Sequence, residues 1–221
     1  MGRYARPRRP VPSSEPPHRG RGRPPVISVE ERRLRLFDTA EAVFQSHGYA
    51  ASSIDEISRI AGMSKATVYR WFANKEALFS GLVEHRGVEL LDNCAKVEAG
   101  WPPATALESF LRRVARTVLS PRVVGLLRLV ISEAPHCPEV ARSFQRKSAE
   151  RCQSIIATLL AQDPALVEDR DALGEVASLL YGAAITELQL RLLLGQGESP
   201  TGPLIDERVR RAIAACLART L

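Results

Sequence analysis

The segment Ser53-Ile-Asp-Glu-Ile-Ser-Arg-Ile-Ala-Gly-Met-Ser-Lys-Ala-Thr-Val-Tyr-Arg-Trp-Phe72 decides the fold of this 221-residue chain. Ser53 followed by Glu56 has the form of a capping box, with Ser53 as N-cap and Glu56 reaching back. Ile54, Ile57 and Ala61 line the inner face of the short helix that follows. Gly62-Met63 makes a tight break. Ser64 is a good N-cap for a second helix, which runs to about Phe72. Ile54, Ile57, Ile60, Ala61, Ala66 and Val68 are expected to form a small shared core. Two short helices across a glycine turn are the layout of a helix-turn-helix, here spanning 54–73. In that motif the second helix enters the major groove of DNA and the first braces it.

The polar residues suit that task. Ser64 and Lys65 sit at a helix N-terminus, where free N–H groups and the dipole favour a phosphate. Lys65 and Thr67 can reach base edges or backbone. Arg70 can pair with guanine through two hydrogen bonds, or with a phosphate. The Tyr69 hydroxyl suits a phosphate contact, and Lys75 is expected to point a further charge at the DNA backbone. The same pattern also fits a helical hairpin carrying ordinary surface charges.

Outward from the motif, the chain reads as helical. A first helix is expected from Val29 to His47, with Phe37, Ala40 and Phe44 on one face and Gly48 as its stop. Asn74 can cap a fourth helix running from Lys75 to about Val97, with Leu78, Leu82, His85 and Val88 near one stripe. Thr105 to Glu108 has the form of another capping box. Ser120-Pro121 and Cys137-Pro138 place proline at first helical positions. Further helices are expected at roughly 105–119, 122–133, 138–161, 168–194 and 204–220. With no run of strands and no repeat, the expected class is all-α. The expected division is a basic Arg/Pro-rich arm over 1–27, a three-helix DNA-binding head over 28–76, and a helical effector-binding and dimerisation body over 77–221.

The stretch from Phe44 to Phe79 closely resembles the N-terminal domain of TetR-family regulators. Gly48-Tyr49, Ser52-Ser53, Ile60-Ala61-Gly62, Ser64-Lys65-x-Thr67-x-Tyr69, Phe72 and Lys75-Glu76-x-Leu78 all stand in the family's register. The resemblance implies that Ser53, Lys65, Thr67, Tyr69, Arg70 and Lys75 face DNA. Ala66 stands where the family often has glycine, which leaves the fold intact but bears on base contact. The segment Leu126 to Phe144 resembles the C-terminal domain of the AefR-like branch. That resemblance implies an all-helical body, core helices around an effector pocket, and a last pair of helices packed against a partner subunit. Leu180, Ala184, Leu188, Ile213 and Leu217 are the expected dimer contacts, although the same stripes suit packing inside one subunit. Trp101, Phe110, Phe144 and Tyr181 are candidates for the pocket wall or for plain core.

Net charge is +6, and residues 1–85 hold 14 Lys+Arg against 9 Asp+Glu, so the basic excess lies early in the chain. Within the arm, Arg19-Gly-Arg21-Gly-Arg23-Pro24 looks like the core of an AT-hook. Arg21 and Arg23 can lie in a minor groove, or the arm can be a solvated tail of non-specific affinity. Four scattered cysteines argue against a zinc site or a disulfide framework. No signal-peptide pattern is visible, and no uninterrupted apolar run reaches the ~18 residues of a transmembrane helix. No phosphate loop, HExxH or GxSxG appears, and adjacent His136 and Cys137 are misplaced for a catalytic pair. Neither an enzyme nor a cofactor is expected. The reading is therefore a cytoplasmic, homodimeric repressor that binds a palindromic operator in double-stranded DNA and is released by an apolar small molecule. The alternative is a cytosolic helical ligand-binding protein without specific DNA binding.

Overall fold

The computed structural model describes residues 28–94, 100–167 and 169–217. Arg21 and Arg23, and the ends expected for the fourth and last helices, lie outside these residues. Among the described residues the fold is all-α, in nine helices. They are α1 (Val29–His47), α2 (Ile54–Ala61), α3 (Lys65–Trp71), α4 (Lys75–Cys94), α5 (Pro103–Val118) and α6 (Pro121–Glu133), then α7 (138–160), α8 (Leu173–Leu193) and α9 (Gly202–Leu217). Two of these are interrupted by a π-helical turn: α7 at Arg146–Glu150 and α8 at Gly182–Thr186.

Local chemistry accounts for most helix ends. Ser28 and Glu31 form a reciprocal capping box at the start of α1, with bonds of 3.0 and 2.8 Å. Ser53 caps α2 by accepting from the Glu56 amide at 3.1 Å. The Glu56 carboxylate does not complete the expected box; it faces His47 Nδ1 at 3.2 Å, so it ties α2 to α1 instead. Gly62 ends α2 in the left-handed region, at φ 68°, where a side chain would be strained. Asn74 accepts from the Ala77 amide at 2.8 Å and starts α4. The box expected at Thr105 is displaced, because Pro103 presets its own φ and begins α5 two residues earlier. Glu108 pairs with Arg112 instead.

Two apolar cores hold the chain together. The first gathers Phe37, Phe44, Ile57, Val68, Leu78 and Phe79 from α1–α4. Leu126, Leu129 and Phe144 from α6 and α7 belong to the same core, so head and body share buried surface. Gly81 of α4 lies close under the Phe72 ring, and an added Cβ there would stand 2.7 Å from Cε1 of Phe72. The second core joins α5, α7, α8 and α9 through Leu111, Ile156, Leu180 and Val209. Ile60 and Ala66, both expected inside, are exposed. Seven or eight residues per helix present only one narrow buried face, and Ile57, Ala61 and Val68 already fill it.

By length and composition alone, α8 is apolar enough to cross a membrane, with 21 residues and a mean hydropathy of 1.2. In this fold it is a bundle member packed on α5, α7 and α9. Arg208 of α9 donates to the Ala183 carbonyl at 2.8 Å and pairs with Glu187 at 2.7 Å. Arg128 of α6 donates to the carbonyls of Leu192 and Leu193 at its C-terminal end.

A candidate DNA-reading face and a candidate effector cavity

Helix α3 is held from beneath and bare above. Val68 is fully buried, which anchors the helix to the head core. On the opposite side Ala66, Tyr69 and Arg70 are exposed. Neither the Tyr69 hydroxyl nor the Arg70 guanidinium has a bonding partner among the described residues. An exposed large aromatic and a solvated cation on a rigid platform cost little to redirect toward a ligand. The N-terminus of α3 is already organised: Ser64 Oγ accepts from the Thr67 amide at 3.1 Å and lies 2.9 Å from the Thr67 hydroxyl. Lys65 pairs with Asp55 at the start of α2, an exposed contact that brings little stability. Ser53, the N-cap of α2, is exposed two residues before Asp55. The structure therefore places Ser64, Lys65, Ala66, Thr67, Tyr69 and Arg70 on one short helix and its cap, with Ser53 at the start of the helix that Lys65 contacts through Asp55.

Lys75 is placed differently from the expectation. Its ammonium donates to the carbonyls of Tyr49, Ala50 and Ser52, at 2.7, 3.3 and 3.0 Å. It also stands 4.3 Å from the centre of the Tyr49 ring. These contacts close the turn between α1 and α2. Tyr49, whose hydroxyl pKa burial pushes up to about 12, is the other half of this clamp.

The body holds a cavity of about 220 Å³ between α4, α5, α6, α7 and α8. Its wall is apolar, from Leu90, Val118, Leu127, Val130 and Phe144, with Tyr181 on the far side. Exposed Ile131 stands at its edge. Both π turns border it: Ser148 and Ala149 lie in one, and Tyr181 immediately precedes the other. Such turns carry a residue that does not fit the α-helical ladder, and they recur at binding sites. Of the four aromatics expected at a pocket, Phe144 and Tyr181 line this one. Phe110 is fully buried in the second core, and Trp101 is exposed before α5. The expected dimer contacts are also redistributed. Leu180 and Ala184 are buried in their own subunit's core, and Leu188, Ile213 and Leu217 pack against it half-buried. The large apolar side chains left more than half exposed on the last two helices are Leu179, Leu190 and Leu204.

One feature was invisible to local sequence reading. Buried Arg86 of α4 donates to Glu41 of α1 at 2.9 Å and to Glu89 at 2.8 Å, and it pairs with Asp38. Arg122 of α6 reaches the same Glu41 oxygen at 3.2 Å. Burial by itself lowers the Arg86 pKa, but Asp38, Glu41 and Glu89 outweigh it and raise the pKa further. This cluster fastens head to body beside the cavity.

A bipartite helical chain with this head belongs to the class of helix-turn-helix DNA-binding transcriptional regulators. The profile of bacterial regulatory proteins of the tetR family matches residues 36–82, and that of the AefR-like transcriptional repressor C-terminal domain matches 105–219. The chain belongs to the TetR family. It is 26% identical over 187 residues to the HTH-type transcriptional repressor SCO4008 of Streptomyces coelicolor, covering 80% of this chain and 91% of that one. It is 28% identical over 158 residues to the HTH-type transcriptional regulator BetI of Rhizobium meliloti, covering 70% and 78%. Among solved structures, a TetR-family regulator from Mesorhizobium loti superposes with a TM-score of 0.75 at 25% identity, covering 86% of this chain and 96% of that one. The flavonoid-responsive regulator FrrA superposes with a TM-score of 0.69 at 27% identity, covering 86% and 97%. The protein is a DNA-binding transcriptional regulator, and its relatives include repressors.

Proposed function

We propose that the chain is a cytoplasmic, homodimeric repressor whose operator binding is released by a small molecule held in the 220 Å³ cavity. Residues 28–76 act as the DNA-reading head and 77–221 as the effector and dimer body. The observation that carries the reading is the bare outer face of α3, with Tyr69 and Arg70 unengaged above a buried Val68. Tyr69, Arg70 and Thr67 contact DNA, Ser53, Ser64 and Lys65 hold the phosphates beside them, and Ala66 lies against the bases. Arg21 and Arg23 of the arm follow the adjacent minor groove. A two-fold dimer presents two such helices to a palindrome, with half-sites one helical turn or a multiple apart. Leu179, Leu190 and Leu204 supply apolar surface for that dimer through α8 and α9. The apolar wall selects an apolar effector, as the flavonoid response named for FrrA illustrates in a relative. An effector there pushes on α4, which carries both Leu90 of the cavity wall and Lys75 of the head clamp. Operator binding weakens by the ligand's differential affinity for the two head arrangements.

Selection from random-sequence DNA followed by anisotropy titration tests this reading at fixed salt with excess competitor. A palindromic consensus bound tightly by the wild type and lost in Tyr69→Ala is expected. Ala141→Phe, which fills the cavity, should bind the same operator and no longer respond to effector. Binding that competitor abolishes, with no consensus recovered, overturns the assignment.

A further inference from the structure

A second cavity, of about 170 Å³, lies behind the first. Leu90 and Val123 line both, so the two are neighbours across these side chains. Its wall adds charged and polar groups, Glu41, Arg86, Glu89, Thr117, Ser120 and Arg122, to the apolar Leu90, Val123 and Leu126. Three carboxylates (Asp38, Glu41 and Glu89) meet two guanidiniums (Arg86 and Arg122) around it, leaving one negative charge uncompensated. The bonds to Glu41 are also lopsided. Both Arg86 and Arg122 are on Oε2, while Oε1 is buried and has no hydrogen-bond partner. Glu41 as a whole is only 5% exposed. A buried acceptor without a donor carries a desolvation cost that any incoming donor relieves.

We propose that this compartment takes the protonated amine of a cationic amphiphile whose apolar tail occupies the cavity at Phe144 and Tyr181. The inference rests on the effector reading above and supplies the ligand's chemical class. An ammonium offers the donor that Glu41 Oε1 lacks and the charge that the cluster lacks. A carboxylate head offers neither and adds a like charge. The tail passes Leu90 and Val123 and fills an uncharged wall. Glu41 belongs to α1, so the head group touches the DNA-binding head directly. It draws on the carboxylate that Arg86 and Arg122 use to hold α1 to α4 and α6. Ligand occupancy and head position are then coupled through one side chain.

Isothermal titration of the full chain with octylamine, octan-1-ol and octanoate tests the proposal, since the three share a tail and differ in head. Octylamine should bind about tenfold tighter than octanoate, the worth of one charge-assisted hydrogen bond, with the alcohol between. Glu41→Gln should erase that preference. Glu89→Gln, at a partly exposed position whose change leaves the fold alone, should reduce it several-fold. Circular dichroism monitors folding in both variants. Equal binding of the three probes, or a preference unmoved in both variants, overturns the polar compartment. If Ala141→Phe then abolishes all binding, the apolar cavity stands without it. If Ala141→Phe leaves octylamine bound while Glu41→Gln releases it, the polar compartment stands and the apolar cavity is not the effector site. Failure of all three probes to bind overturns both.

Discussion

Arg86 Nε lies 2.9 Å from Oε2 of Glu41, with both side chains buried, and this bond joins the helix that leaves the head to the helix that begins it. A buried pair of this kind contributes little net stability over an apolar pair, yet losing one partner strands a charge. Arg86→Met should therefore cost about 3–5 kcal/mol in urea denaturation. The double variant Arg86→Met/Glu41→Leu should recover most of that loss. A single-variant cost within experimental error of zero would show that the cluster is not buried in solution.

Lys75 gives a prediction opposite to the one its position in the family motif suggests. Lys75→Met removes three donors to backbone carbonyls and a cation over the Tyr49 ring. The expected loss is about 2–3 kcal/mol of stability, with faster proteolysis at residues 48–53. The salt dependence of DNA binding should not change, because no phosphate contact is lost. A flatter salt dependence with unchanged stability would return Lys75 to the DNA interface.

Tyr69 and Arg70 behave in the reverse way. Both are exposed and unbonded, so Tyr69→Ala and Arg70→Ala should leave the melting temperature nearly unchanged. Operator affinity should fall by about 1–3 kcal/mol for each. Arg70→Ala tells its two roles apart: relaxed specificity at one base pair means a base contact, and uniform weakening means a phosphate contact.

The charge distribution makes a fourth case. Residues 1–27 hold seven arginines and one glutamate, which accounts for the whole net charge of +6. Residues 28–221 are balanced. Removing 1–27 should flatten the plot of log affinity against log salt by about 0.9 for each phosphate the arm neutralises. A specific minor-groove role predicts a further loss of preference for A·T pairs flanking the half-sites. Equal weakening on every flank would mark the arm as a non-specific anchor.

What the sequence made legible follows from the range of the interactions concerned. Caps at Ser53, Ser64 and Asn74, the stops at Gly48 and Gly62, and the proline starts of α6 and α7 depend on neighbours within a turn, and each stands where its residues put it. The recognition helix was readable for the same reason. Ile60 was placed on the wrong side, and Leu180 and Ala184 were left between a partner and their own core, because periodicity gives a stripe but not the neighbour it faces. Lys75 reaches carbonyls more than twenty positions away, and Arg86 a carboxylate 45 positions away. No local pattern encodes such contacts. The second cavity was equally hidden, since its wall draws on α1, α4, α5 and α6 together.

The π turn at Gly182–Thr186 divides α8 into two segments that each face the cavity and the outside, the first through Tyr181 and exposed Leu179 and the second through Gln189 and exposed Leu190. Each residue added to or taken from a helix turns everything beyond it by about 100°. Loss of one residue there would swing Leu190 to a new partner-facing side and carry Gln189 out of the ligand wall in the same motion. A single deletion would thereby exchange one mating surface for another and alter the chemical sense with it, so that choice of partner and choice of ligand drift together.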